Sequence, residues 1–283
     1  MKKFLILSWK VLVALFAIIG LVFTVVYFGM RIGVFNVRGS IVERNTFFSL
    51  GAKKPIEVAP TPCVDEQTAC DWNETPEWQA IKGGLTKDAE MILRVSSETG
   101  VDARIIAAVV VPEQTRFFTA NRDVFKRYFE PLKILGSLTQ FSLGISGIKQ
   151  TTANAIEAYA ADPTSEFYPG DGMAALIAYE SGANHDAELY NRLTDPKDHY
   201  YQYLYTALFV KEIQEQWLRA GFDVSKQPEV IVTLFNIGFQ ASHPNPMPQV
   251  AGAPITTGGT VYTYGKLGST FYHSGELSDI FPH

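Results

Sequence analysis

The chain has few of the residues from which metal centres and disulfide frameworks are built. Cys63 and Cys70 are its only cysteines, and its five histidines are scattered with no His-x-His or His-Glu-x-x-His spacing. Protein-bound zinc needs such ligands in a cluster, so no metal is expected. No Ser/His/Asp order marks a nucleophile either. Lys and Arg form no stripe, and the formal net charge is −5, so the positive surface that a phosphate backbone requires is missing. Nucleic acid is therefore not an expected partner. No internal repeat or low-complexity tract appears, and 283 residues are ample for a buried core.

Charge is also missing from residues 11–30. A run of about 20 such residues is what an α-helix needs to cross a bilayer. Lys2, Lys3 and Lys10 give the segment the start of a signal peptide, but no small-x-small cleavage site follows. Residues 1–30 are thus expected to stay as an N-terminal transmembrane anchor. The lysines favour a cytoplasmic N-terminus, while Arg31, Arg38 and Arg44 pull the other way. Cys63 and Cys70 favour export: separated by six residues, they would readily join outside the cytoplasm, the alternative being two free thiols in a connector. The expectation is a single-pass protein with its bulk outside the cytoplasm.

Residues 31–84 read as a juxtamembrane connector, because Pro55, Pro60, Pro62, Pro76 and the Gly83-Gly84 pair interrupt any helix. A mainly α-helical domain is expected over residues 85–283. Thr86 suits the N-cap of a first helix ending near Gly100, and Asp102 that of a second through Ile105, Ile106, Val109 and Val110. Further helices are expected over 152–161, 173–180, 201–219 and 229–235, with Pro228 well placed at a helix start. From about Gln240 onward, Pro244, Pro246, Pro248 and Pro254 with Gly252, Gly258 and Gly259 indicate a loop-rich C-terminal segment with one short strand over 260–264.

Glu113 is the first candidate for chemistry. Ile106, Val109 and Val110 lie seven, four and three residues before it, so a continuing helix puts it on their apolar face. A carboxyl in an apolar setting resists ionisation, which suits a proton donor near neutral pH. The structural alternative is a helix-end Glu paired with Arg116 or Arg122. Next comes the turn Ser142-Leu143-Gly144-Ile145-Ser146-Gly147-Ile148-Lys149-Gln150, whose two glycines let a backbone approach a ligand. Its Ser142 and Gln150 can hydrogen-bond sugar hydroxyls or amides. Last is Phe235-Asn236-Ile237-Gly238, a helix end with a glycine to supply the cap.

In this order, Val101-Asp102 through Glu113-Gln114, the Ser142–Gln150 turn and Phe235-Asn236-Ile237-Gly238 resemble the soluble lytic transglycosylase and goose-type lysozyme family. The resemblance spans roughly residues 85–240, and residues 201–219 match the long helix that the family places between its last two motifs. It implies a lysozyme-like fold and cleavage of the β-1,4 bond between N-acetylmuramic acid and N-acetylglucosamine in peptidoglycan glycan strands. It also implies a location on the bacterial cytoplasmic membrane with the domain on the outer face, and a place in a cell-envelope complex. Glu113 would protonate the glycosidic oxygen and then act as base toward the muramoyl 6-hydroxyl, giving a 1,6-anhydro product with no cofactor. The two-carboxylate scheme usual for glycosidases is not needed. Ser142, Gly144, Gly147, Gln150 and Phe235 would position the sugar, and Asn236 would order the cleft.

Gln114 stands where the family has Ser, and Phe235 where it has Tyr, which removes a hydroxyl that in the family sits near the acid. The long interval from Glu113 to Ser142 leaves an inserted segment, with Phe125, Tyr128 and Phe129, as a possible part of the cleft. Glu180-Ser181 offers a rival acid, but it follows the glycine turn. Tyr262, Tyr264, Phe271 and Tyr272 are candidates for stacking on sugars or for core packing. Two other functions fit parts of the pattern. One is a peptidoglycan glycosyltransferase, from Glu113-Gln114 through Phe117; the other is a non-catalytic glycan-binding scaffold, from Gln114 and Phe235.

Overall fold

The computed structural model describes residues 71–119 and 142–283, together with Phe16, Gly20, Leu21 and Thr24, all four helical. Cys63, Cys70, Phe125, Tyr128, Phe129 and the rest of the apolar run lie outside the described residues. Among the described residues, no helix is long and apolar enough to cross a membrane.

The fold is mainly helical. The described residues form nine α-helices: α1 Pro76–Lys87, α2 Ala89–Thr99, α3 Ala103–Thr119, α4 Gln150–Ala161, α5 Met173–Leu176, α6 His185–Thr194, α7 Tyr200–Arg219, α8 Pro228–Ile237 and α9 Tyr264–His273. Two antiparallel hairpins complete them: β1 Ser142–Leu143 with β2 Ile148–Lys149, and β3 Pro254–Thr257 with β4 Thr260–Thr263.

Helix α7 runs through the middle and packs against α2, α4, α6, α8 and α3. Every residue from Gln202 to Val210 is buried, so the helix is enclosed on all sides over that stretch. Its apolar face therefore does not need to be a clean stripe, which explains its imperfect pattern in the sequence. Helix α3 is equally enclosed, with Ile105 to Val111 at 0% exposure.

Several sequence expectations change. Residues 76–84 belong to α1, not to a connector: Trp78, Ile81 and Leu85 are buried against the core. The Thr75 hydroxyl accepts from the Trp78 N–H and Pro76 occupies the first turn, so the Thr-Pro pair begins a helix that tertiary packing carries through Gly83-Gly84. Thr86 lies within α1, and Asp88 takes the N-cap position of α2. Gly100, at φ +71°, ends α2, and Asp102 accepts from the Arg104 N–H at the start of α3. Helix α5 stops at Leu176, and the unforeseen α6 is capped by Asn184. The C-terminal segment is a loop only to residue 253; the hairpin β3–β4 and helix α9 follow, with Phe271 buried rather than exposed.

Two buried charged side chains have opposite settings. The Arg104 guanidinium, at 0% exposure, donates to five backbone carbonyls of the C-terminal segment: Phe271, Tyr272, Ser274, Glu276 and Phe281. Burial lowers its pKa. Glu212 on α7 is also at 0% exposure, yet neither carboxyl oxygen has a hydrogen-bond partner among the described residues. Burial holds its pKa well above the ordinary value of 4.5, so the neutral acid is the folded form.

That difference links stability to pH. The folded state keeps the Glu212 proton to higher pH than the unfolded chain does. Its contribution is whole below the unfolded pKa and is lost as pH rises toward the folded one. Stability should therefore fall above pH 4.5 by up to about 1.4 kcal/mol per pH unit from this group. Glu212→Gln should flatten the slope in denaturation curves recorded from pH 4 upward; an unchanged slope would assign it to other groups.

Candidate active site

Glu113 follows Pro112 inside α3. Proline has no N–H to give to the carbonyl four residues back, here Ala108. Helix α9 lies over that carbonyl: a Cβ built on Gly268 would come within 2.6 Å of the Ala108 oxygen. A Cβ on Gly265 would collide with the Thr233 hydroxyl and lie 2.7 Å from the Glu229 carbonyl. The two glycines thus admit α9 between α3 and α8. This close approach brings Tyr264, the first residue of α9, to the acid. The Tyr264 hydroxyl donates to Glu113 Oε2 at 3.1 Å, with the Val109 carbonyl oxygen 3.4 Å away.

The glycine turn meets the other carboxyl oxygen. Strands β1 and β2 pair Ser142 with Lys149 and Leu143 with Ile148, leaving residues 144–147 as the turn. Three side chains fasten it. Gln114 Nε2 donates to the Ile145 carbonyl, the Ile145 N–H donates to Gln202 Oε1 at 2.8 Å, and the Thr206 hydroxyl bonds Ser146 Oγ. Gln114 thereby ties the turn to the helix that carries Glu113. At Gly147, φ is +65°, and a Cβ would overlap Glu113 Oε1 and lie 2.8 Å from the carboxyl carbon.

Gly147→Ala should therefore be costly twice, through left-handed backbone strain and through collision with the carboxyl. A destabilisation of about 2–3 kcal/mol is expected, with loss of the site's activity. Gly100→Ala provides the comparison, since Gly100 has φ +71° but open space around its Cβ position. Equal losses in thermal unfolding would leave no role for the carboxyl contact.

Glu113 is 2% exposed, but it lines one wall of an open cleft of about 430 Å³. Ser146 to Lys149, Thr151 and Thr152 form one side, and Phe235 to Gln240 with Tyr264 the other. Tyr159, Phe209 and Phe239 also line it, with Phe209 stacked on Phe239 at 4.2 Å and edge-on to Phe235 at 4.8 Å. Among the described lining residues Glu113 is the one carboxyl, and no histidine or cysteine joins it. That donor set suits acid/base work on a neutral polar ligand better than metal binding.

The structure brings together Glu113, Gly147, Phe235 and Asn236 from the sequence-derived set. Asn236 Oδ1 accepts from the Ala253 N–H at 2.9 Å, which ties the proline-rich loop to the cleft wall, and Gly238 ends α8 at φ +94°. Gly144 lies away from the cleft: a Cβ there would come within 2.6 Å of Gln202 Oε1, so its role is close packing on α7. Gln150 is buried at the start of α4 and does not line the cleft; Lys149, Thr151 and Thr152 do. The backbone of Ser142 forms β1, while its side chain lies outside the described residues. Glu180, the rival acid, is exposed and does not line this cleft. Tyr264 is at 0% exposure and holds the acid instead of stacking on sugar.

In comparisons with family models, curated proteins and solved structures, nothing matches this chain.

Proposed function

We propose that the protein is a peptidoglycan lytic transglycosylase with a lysozyme-like helical domain. It would be anchored by its N-terminal helix on the outer face of a bacterial cytoplasmic membrane. The observation that carries this is the setting of Glu113. One carboxyl, recessed at the end of an apolar helix stretch, lines an open cleft with aromatic neighbours and touches both a glycine turn and a tyrosine hydroxyl. Glu113 protonates the glycosidic oxygen between muramoyl and glucosaminyl residues. As carboxylate it then takes the proton of the muramoyl 6-hydroxyl, which closes on C1 to give the 1,6-anhydro ring. The apolar N-terminal run, with Phe16 and Leu21 each 64% exposed on a helix, supports the anchor.

Tyr264 supplies a hydroxyl at the acid where Phe235 has none. Its role is positioning: the O–H holds one carboxyl oxygen and leaves the other toward the turn. Tyr264→Phe should slow cleavage by about tenfold to a hundredfold, through kcat with KM little changed, with a stability loss of about 1 kcal/mol. A rate loss no larger than the loss of folded protein would make Tyr264 only a packing residue.

The reading is tested by incubating the full-length protein with purified peptidoglycan and identifying the products by mass spectrometry. Anhydro-muropeptides should form, and Glu180→Gln should not reduce them. Reducing ends would indicate hydrolysis instead. Binding without any product would favour a glycan scaffold, and elongation of lipid-linked glycan a polymerase.

A further inference from the structure

Beyond the Tyr159–Phe239 pair the cleft continues into a second lobe of about 460 Å³, which shares Tyr159, Phe239 and Gln240 with the first. The character changes there. Phe167 stacks on Tyr159 at 4.8 Å and meets Phe239 edge-on at 5.0 Å, giving an apolar base. Glu166 stands exposed in the wall, with one carboxylate oxygen accepting from Gln216 Nε2 at 2.9 Å.

His243 also lines this lobe, and the nearby arginine is already committed. Arg219 spends its guanidinium on the backbone carbonyls of Glu166, at 2.9 Å, and Tyr168, at 2.5 Å, with Glu215 Oε2 3.6 Å away. The Glu166 carboxylate thus faces the lobe with an oxygen still able to accept. Burial is the main cause that pushes the Tyr159 hydroxyl pKa up, in keeping with the apolar base of this lobe. By contrast, the one carboxyl in the described walls of the first lobe is recessed, and Lys149 lies on its rim.

Neutral sugar rings need no anionic wall. A ligand that carries a primary ammonium beside an apolar stretch does, because a charge-assisted hydrogen bond to an accessible carboxylate both binds and selects it. Given the proposed substrate, that ammonium lies on the stem peptide, at the side chain of its diamino acid, and the peptide leaves the muramoyl ring beside the sugar cleft. We propose that the second lobe binds the amine-bearing stem peptide of the glycan strand, with Glu166 pairing to the free ammonium. The protein would then prefer strands whose peptides are intact and not cross-linked through that amine. This rests on the transglycosylase reading of the first lobe.

The test uses full-length Glu113→Gln protein, which should bind without cleaving. Three soluble glycan oligomers are titrated: one with free-amine stem peptides, one with those amines acetylated, and one with the peptides removed. The free-amine ligand should bind about tenfold more tightly than the other two, and adding Glu166→Gln should bring all three to a similar affinity. Equal affinities before Glu166 is changed, or a preference that survives its change, would overturn the assignment. Cleavage of the stripped glycan by unaltered protein, without any preference for peptide, would overturn only the second lobe. Failure to bind any of the three would remove both readings together.

Discussion

On the proposed function, Glu113→Gln should abolish the formation of anhydro-muropeptides, lowering the rate by at least about a hundredfold and up to about ten-thousandfold. The amide has the shape of the carboxyl but no proton to give to the leaving oxygen and no charge with which to take one back. The surroundings tolerate it. Tyr264 can donate to the amide oxygen as it does to Glu113 Oε2, at 3.1 Å, and Gly147 leaves the same space open. The melting temperature should therefore barely move, which separates lost chemistry from lost fold. Substantial turnover in the Gln variant would eliminate Glu113 as the acid.

The largest effect on stability should come from Arg104→Met. The new side chain fills much of the same volume but leaves five backbone carbonyls, from Phe271 to Phe281, without their donor. An unmet buried acceptor costs about 1–3 kcal/mol, and partial rescue by water keeps the total below the simple sum. A loss of at least about 4 kcal/mol is expected in chemical denaturation. Arg104→Lys should recover only part of it, because a single ammonium has three donors in a different geometry. The C-terminal amides should lose hydrogen-exchange protection before the rest of the core does. Uniform loss of protection would mean that the guanidinium stabilises the whole domain without singling out its end.

What could be read in the sequence was local. Glu113 beside an apolar stretch of helix, the turn glycine at 147 and the glycine stop after Asn236 each depend on neighbours a few residues away. The structure places all of them at one cleft. What could not be read depends on distant packing. Tyr264 reaches Glu113 across 151 residues of sequence, and only the space left by Gly265 and Gly268 makes that contact possible. Gln150 showed the reverse: its place in the motif suggested a sugar contact, but the start of α4 turns it inward. Helix α1 is hidden in the sequence for another reason. Its Thr75-Pro76 start is a capping signal, but two glycines near its end oppose a helix by local propensity, and the burial of Leu85 against the core overrides them.

The position of Arg104 near the start of the helix that carries Glu113 has a consequence for biosynthesis. The acid is made early, yet the tyrosine that holds it and the segment clamped by Arg104 are synthesised after the glycine turn and Asn236. A nascent or truncated chain that ends before residue 264 would carry Glu113, the glycine turn and Asn236 without the pieces that set the acid's geometry. Until residue 264 has been made, the cleft lacks the hydroxyl that fixes its recessed carboxyl.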